Sequence, residues 1–158
     1  MVNQETQALD VKWAAITFVL GYIVLTVVGF ASYYILAAIM HVSLSAKFDI
    51  SSDPAYMLSQ QLNIAYNLVT WVLCAWVYFR RSMPLTSQRA WTLGVFWLVV
   101  ALPTDFIFYV LVPSPTQLTP SEYYVGQFPW IYLVYAVLAI SPACLLLTRR
   151  LVRPEYAE

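Results

Sequence analysis

One acid in this sequence stands alone inside a hydrophobic stretch. Asp105 follows Pro103 in Leu102-Pro103-Thr104-Asp105, and the run from Ala90 to Val112 holds no other charged side chain. A carboxylate in the middle of a bilayer costs about 2.5–3.5 kcal/mol on insertion scales, so it is expected to face protein or water, and it is a functional candidate by default. Pro103 has no N–H to give to the carbonyl of Val99, which predicts a kink just before the acid. A second polar feature lies upstream. Gln60, Asn63, Asn67, Thr70 and Cys74 recur at steps of three and four, which puts them on one helical face.

Counted from the outer ends of their segments at ~1.5 Å per residue, Asp105 and Asn63 both lie about 10 Å deep, and Tyr34 and Tyr135 reach about the same level. The predicted site is therefore a pocket around Asp105, lined by Gln60, Asn63, Asn67, Tyr34 and Tyr135 and opening to the outside. Its chemistry suits a small polar or cationic solute. The competing expectation is purely structural, because interhelical polar contacts in membrane bundles average about 0.6 kcal/mol in one well-measured case.

Other chemistries lack their parts. An aspartyl-protease dyad needs two carboxylates sharing a proton, and magnesium-dependent phosphate or prenyl chemistry needs clustered acids; the spans hold one acid. A Ser-His-Asp arrangement would have to bring His41, near the outer end of the first span, to Asp105 about 10 Å deep. One histidine and two cysteines make neither a bis-histidine haem nor a His/Cys metal site within one chain. Cys74 and Cys144 read as small apolar fillers. Four glycines in 158 residues leave no phosphate-cradling loop, and eight Lys/Arg against eight Asp/Glu give no pull towards nucleic acid. No catalytic residue, metal or cofactor is expected.

The elements that carry these residues are membrane spans. The chain is 61% hydrophobic and 10% charged, with a mean hydropathy of +0.70, where soluble domains carry about 25% charged residues. A bilayer core of roughly 30 Å asks for about 20 apolar residues per helix. Four segments answer, at about 13–42, 56–79, 90–112 and 128–148, and a single all-α domain over 1–158 is expected. The first run is about twice too long for a signal peptide and follows Glu5 and Asp10, so it is read as a retained helix. Gly21 and Gly29, with Thr17 and Ser32, give it a small-residue face suited to packing within or between chains.

Orientation follows from the basic residues, which are held on the cytoplasmic side. Lys12, Arg80, Arg81, Arg89, Arg149, Arg150 and Arg153 fall on one face and Lys47 alone on the other, while Asp49, Asp53 and Glu122 lie in the two outer loops. The expected fold is an antiparallel four-helix bundle with both termini cytoplasmic, in a bacterial inner membrane. Trp13, Trp76, Tyr78 and Trp91 are assigned to the inner aromatic belt, and Tyr34, Tyr56, Tyr109, Tyr123, Tyr124 and Trp130 to the outer one. Asp53-Pro54 reads as a helix cap with proline at the first position. Thr119-Pro120-Ser121-Glu122 reads as a capping box opening a short outer helix at about 120–126, and Pro113 and Pro115 stop the third span.

Length and span number are similar to those of the membrane-bound glutathione-transferase-like proteins, yet those carry arginines and glutamates within their helices and these spans have neither. Small multidrug exporters place an essential glutamate in the first helix, and this first helix has no acid. The general pattern resembles that of many small bacterial membrane proteins. Two expectations follow. One is a solute-binding or transport protein, which with only four helices implies a homo-oligomer. The other is a non-catalytic accessory subunit of a larger membrane complex, whose small-residue faces pack on a partner while its aromatics hold lipid.

Overall fold

The structure, a computed structural model, describes residues 9–42, 53–81, 84–114 and 117–152, the side chains of Arg150 and Val152 excepted. Glu5, Lys47, Asp49, Pro115 and Arg153 lie outside the described residues. Four long helices dominate: α1 (Val11–Ile39), α2 (Pro54–Arg81), α3 (Ser87–Asp105) and α4 (Trp130–Val152), with π-helical turns at Phe106–Leu111 and Glu122–Gly126. There is no strand among the described residues. All four helices, α3 counted with the π-turn that continues it to Leu111, are long and apolar enough to cross a membrane.

Local chemistry sets the ends. Asp10 Oδ1 accepts from Trp13 N at 3.0 Å and starts α1. Asp53 Oδ1 accepts from Ala55 N at 2.8 Å and Tyr56 N at 3.2 Å, the expected cap at the head of α2. Thr86 caps α3 through Arg89 N, so that helix begins three residues before the expected position 90. The capping box forms as read: Thr119 N donates to Glu122 Oε2 at 2.7 Å, and Glu122 N donates to Thr119 Oγ1 at 3.2 Å. The coil it opens is a wide π-turn rather than a regular short helix.

Side chains fix which ends meet. The backbone N–H of Asp10 donates to the Tyr78 hydroxyl at 3.1 Å, and the Arg81 guanidinium lies 4.4 Å from the Trp13 ring centre. At the other end, the Tyr33 hydroxyl donates to Asp53 Oδ2 at 2.9 Å. The start of α1 thus lies beside the end of α2, and the reverse. Between α1 and α3, Trp97 Nε1 donates to the Ala14 carbonyl at 3.0 Å, and Tyr22 reaches Asp105. Both pairs are 83 residues apart, so these two helices run side by side in one direction with a constant offset.

The core runs along the bundle, from Ala14 and Tyr78 at the arginine-bearing end to Val110 and Tyr123 at the other. Trp71 and Trp97 are fully buried with ring centres 5.2 Å apart, and Phe18 stacks on Trp71 at 5.6 Å. Two glycines let backbones close around this cluster. A Cβ on Gly94 would collide with the Ala139 carbonyl of α4, and one on Gly21 would come within 2.8 Å of the Trp71 ring and 2.9 Å of Cys74 Sγ. The small-residue face of α1 is therefore covered by α2 of the same chain. Tyr78 and Tyr123, assigned by sequence to the interfacial belts, are buried within the protein; each hydroxyl has a protein partner that holds it inside.

Candidate functional site

The third span changes its winding where its acid sits. Asp105 is the last residue of α3 and the first-turn neighbour of the π-turn Phe106–Leu111. Pro103, two residues earlier, removes a backbone donor, and a wide turn of this kind re-aims the side chains around it; such turns concentrate at functional sites. Asp105 is 8% exposed. Both of its oxygens accept hydrogen bonds from phenols: the Tyr22 hydroxyl donates to Oδ1 at 2.7 Å, and the Tyr135 hydroxyl donates to Oδ2 at 2.9 Å. Tyr135 has given away its one proton, so the 3.2 Å contact between the Tyr123 and Tyr135 hydroxyls must be Tyr123 donating. Three phenols from three separate elements thus converge on one carboxyl group. Tyr123 lies outside the spans, and its hydroxyl pKa is raised, first by burial and then by the nearby Asp105 charge.

The amide stripe of α2 is bonded along its own axis. Gln60 Nε2 donates to the Tyr56 hydroxyl at 2.6 Å, and Asn63 Nδ2 donates to Gln60 Oε1 at 3.4 Å. Asn67 Nδ2 donates to Asn63, both to its side-chain oxygen and to its carbonyl, and Trp71 Nε1 donates to Asn67 Oδ1 at 3.1 Å. These bonds fix the amide orientations without crossing to α3.

Between the two walls is a cavity of about 210 Å³. Asp105, Gln60, Asn63, Asn67 and Tyr135 all line it. Tyr34 does not: it is 50% exposed, with its ring against Tyr33, and Tyr33 lines the cavity in its place. The depth count for Tyr34 started from the outer end of α1. By the offset of 83, however, the end of the third span at Leu111 lies level with Val28, and α1 runs on for about 16 Å beyond it. The residue of α1 at the level of Asp105 is Tyr22. A signal for it existed, since Tyr22, Thr26, Gly29 and Tyr33 follow one another at steps of four, three and four and all line the cavity. Tyr123 was also missed, because a loop tyrosine folded back under the bundle looks in sequence like an interfacial one.

No known protein family matches this chain, and neither a curated protein nor a solved structure resembles it. The site must be read from its own chemistry. Among the described residues that line the cavity, Asp105 is the one acid, and no Lys, Arg or His accompanies it. His41 sits exposed in the turn after α1, at φ 53°. Cys74 and Cys144 are free thiols, with Cys74 against Gly21 rather than in the cavity. A second cavity of about 210 Å³ shares Tyr56, Gln60 and Gln127 with the first and is bounded by Phe128 and Trp130 at the end away from Arg80 and Arg81.

Proposed function

We propose that this is a multi-pass protein of the bacterial inner membrane, an antiparallel four-helix bundle with both termini cytoplasmic, that binds a small polar or cationic solute from the outside in the Asp105 cavity. The observation that carries the reading is a carboxyl group bonded by two phenols yet lining about 210 Å³ of space, with no base among the cavity's described residues. A carboxyl kept only to tie helices together would be packed against its partners, since a void forfeits dispersion contacts on every side. Intramembrane acids that face cavities belong to substrate and ion pathways.

Access from the outside is supported by three features. Basic residues gather at the ends remote from the cavity, Trp71 at the cavity wall is backed by Phe18 and Trp97, which do not line it, and the second cavity continues the first towards the opposite end. Transport would need more than this chain offers, because four helices are few for a complete path; a homo-oligomer would supply the rest. The accessory-subunit reading draws less support, as Gly21 meets Trp71 and Cys74, Gly29 faces Tyr66, and Gly94 meets Ala139, all within the chain.

The test is accessibility. Asn63→Cys in a Cys74→Ala, Cys144→Ala background places one thiol on the cavity wall. In sealed right-side-out vesicles a membrane-impermeant methanethiosulfonate should label it, and in inside-out vesicles it should not. Labelling from neither side, or from the cytoplasmic side only, would overturn the proposal.

A further inference from the structure

The two walls of the cavity differ in what they have left to offer. On the α3 wall each oxygen of Asp105 accepts one phenol, so each retains a lone-pair direction. On the α2 wall the bonds of Gln60 and Asn63 use one N–H of each amide, so each retains a second N–H, while both N–H groups of Asn67 are committed to Asn63. One side therefore carries spare acceptors on a carboxyl group, which a bound cation would hold ionised, and the other carries spare donors without charge. Between them, Tyr22, Tyr66, Tyr109 and Trp71 contribute aromatic wall, and aromatic rings favour cations over neutral groups of the same shape.

Size narrows the choice. An apolar cavity of about 150 Å³ takes benzene, so about 210 Å³ takes a molecule of roughly eight non-hydrogen atoms on the same scale. A bare metal cation would leave most of that volume empty, and an anion would meet a carboxylate with no base beside it.

We infer that the cavity is a site for a small organic ammonium ion bearing an oxygen at its far end, with the cationic nitrogen against Asp105 and the oxygen accepting from Gln60 and Asn63. This rests on the solute-site reading above and specifies its ligand class. The occupant is a monovalent aminoalcohol or amino-carbonyl compound rather than an inorganic ion or a lipid tail.

Choline is a suitable probe, and its uncharged isostere, in which a tert-butyl group replaces the trimethylammonium, isolates the charge. Calorimetric titration of the full chain, purified in a maltoside detergent to avoid choline headgroups, should show saturable choline binding at one site per chain. The isostere should bind at least tenfold more weakly, and tetramethylammonium, which lacks the oxygen, should fall between them. Asp105→Asn should bring choline down to the level of the isostere. Gln60→Leu with Asn63→Leu should bring it to the level of tetramethylammonium while leaving the charge preference intact. The wild-type comparison needs no variant to fold. Equal affinity for choline and its isostere, absence of choline binding, or displacement of choline by equimolar potassium would each overturn the inference. If any of these came with Asn63→Cys still labelled from the outside, the solute site would stand and the ligand class would fall; loss of that labelling would remove both.

Discussion

Removing the hydroxyl of Tyr22 is the sharpest test of the site's architecture. The Tyr22–Asp105 bond, at 2.7 Å, holds α1 in register with α3 together with the bond from Trp97 to Ala14 at 3.0 Å. A neutral interhelical hydrogen bond in a membrane bundle is worth about 0.6 kcal/mol. Bonds to a charged acceptor are roughly twice as strong as neutral ones, and mutational values for them reach about 1.5–3 kcal/mol. Tyr22→Phe also leaves the buried Oδ1 with one donor fewer, which adds a desolvation cost. The expected loss is about 1.5–3 kcal/mol, a shift of more than tenfold in the unfolding equilibrium.

Equilibrium unfolding in mixed micelles, followed through the Trp71–Trp97 cluster, gives the number. Thr26→Val is the control: it is on the same helix and lines the same cavity, but its hydroxyl bonds only the Tyr22 carbonyl at 2.8 Å, so its effect should stay within about 0.5 kcal/mol. The decisive step is the double-mutant cycle. An Asn at 105 has one acceptor oxygen where Asp has two, and a phenol can turn to accept from its NH₂, so Asp105→Asn should remain folded. In that background Tyr22→Phe should cost no more than the neutral value of about 0.6 kcal/mol. Equal costs in both backgrounds would refute the assignment of Asp105 as a charged acceptor for Tyr22.

Three further outcomes follow from the structure. Gly94→Ala drives a Cβ into the Ala139 carbonyl, a backbone atom that cannot swing aside; overpacking of about 1–3 kcal/mol should outweigh the gain of about 1 kcal/mol in helix propensity. Gly29→Ala meets only Tyr66 Oη at 3.7 Å, an ordinary contact, so there the propensity gain should appear as stabilisation in the same unfolding assay. Tyr123 carries a raised pKa for its buried hydroxyl. Above pH ~10 the unfolded chain releases that proton and the folded chain keeps it, so stability should fall with rising pH by up to about 1.4 kcal/mol per unit. Unfolding midpoints between pH 9 and 11 should fall less steeply for Tyr123→Phe than for the unmodified chain; parallel slopes would contradict the burial of this hydroxyl.

The spans were legible because their signal is local. Charge-free runs of more than 20 residues mark lipid-crossing segments whatever they pack against, and Asp53-Pro54 and Thr119–Glu122 carry their caps within four residues. Helix ends were less legible, since hydropathy marks the lipid boundary rather than the last hydrogen-bonded turn. For this reason α2 runs through Arg81 and α4 through Val152, past the expected ends at 79 and 148. At the outer end of α1 the error is opposite: Met40 and His41 leave the helix for a turn, with His41 in the left-handed region at φ 53°. The amide stripe and the acid were readable by spacing. The identity of the tyrosines around the acid was not, because the offset between α1 and α3 is set by the Trp97–Ala14 contact, and no single span encodes it.

That offset also explains why there is space beside Asp105. Helices close on each other where small or interlocking side chains meet, as at Gly94–Ala139 and around Trp71 and Trp97. Farther out, each polar wall satisfies itself. The amides of α2 bond along their own helix, and Asp105 is satisfied by phenols from α1 and α4. No bond then draws α2 and α3 together across the gap. A chain seeking only stability would close it with one amide-to-carboxylate hydrogen bond, and a larger apolar group in place of a cavity-lining hydroxyl that bonds only its own helix would be neutral or stabilising. Thr26→Ile therefore separates the two readings on stability alone, because Thr26 lines the cavity and its hydroxyl bonds the Tyr22 carbonyl of its own helix: a gain marks a space held open at a cost, and a loss of more than about 1 kcal/mol would mean that the wall there is already closely packed.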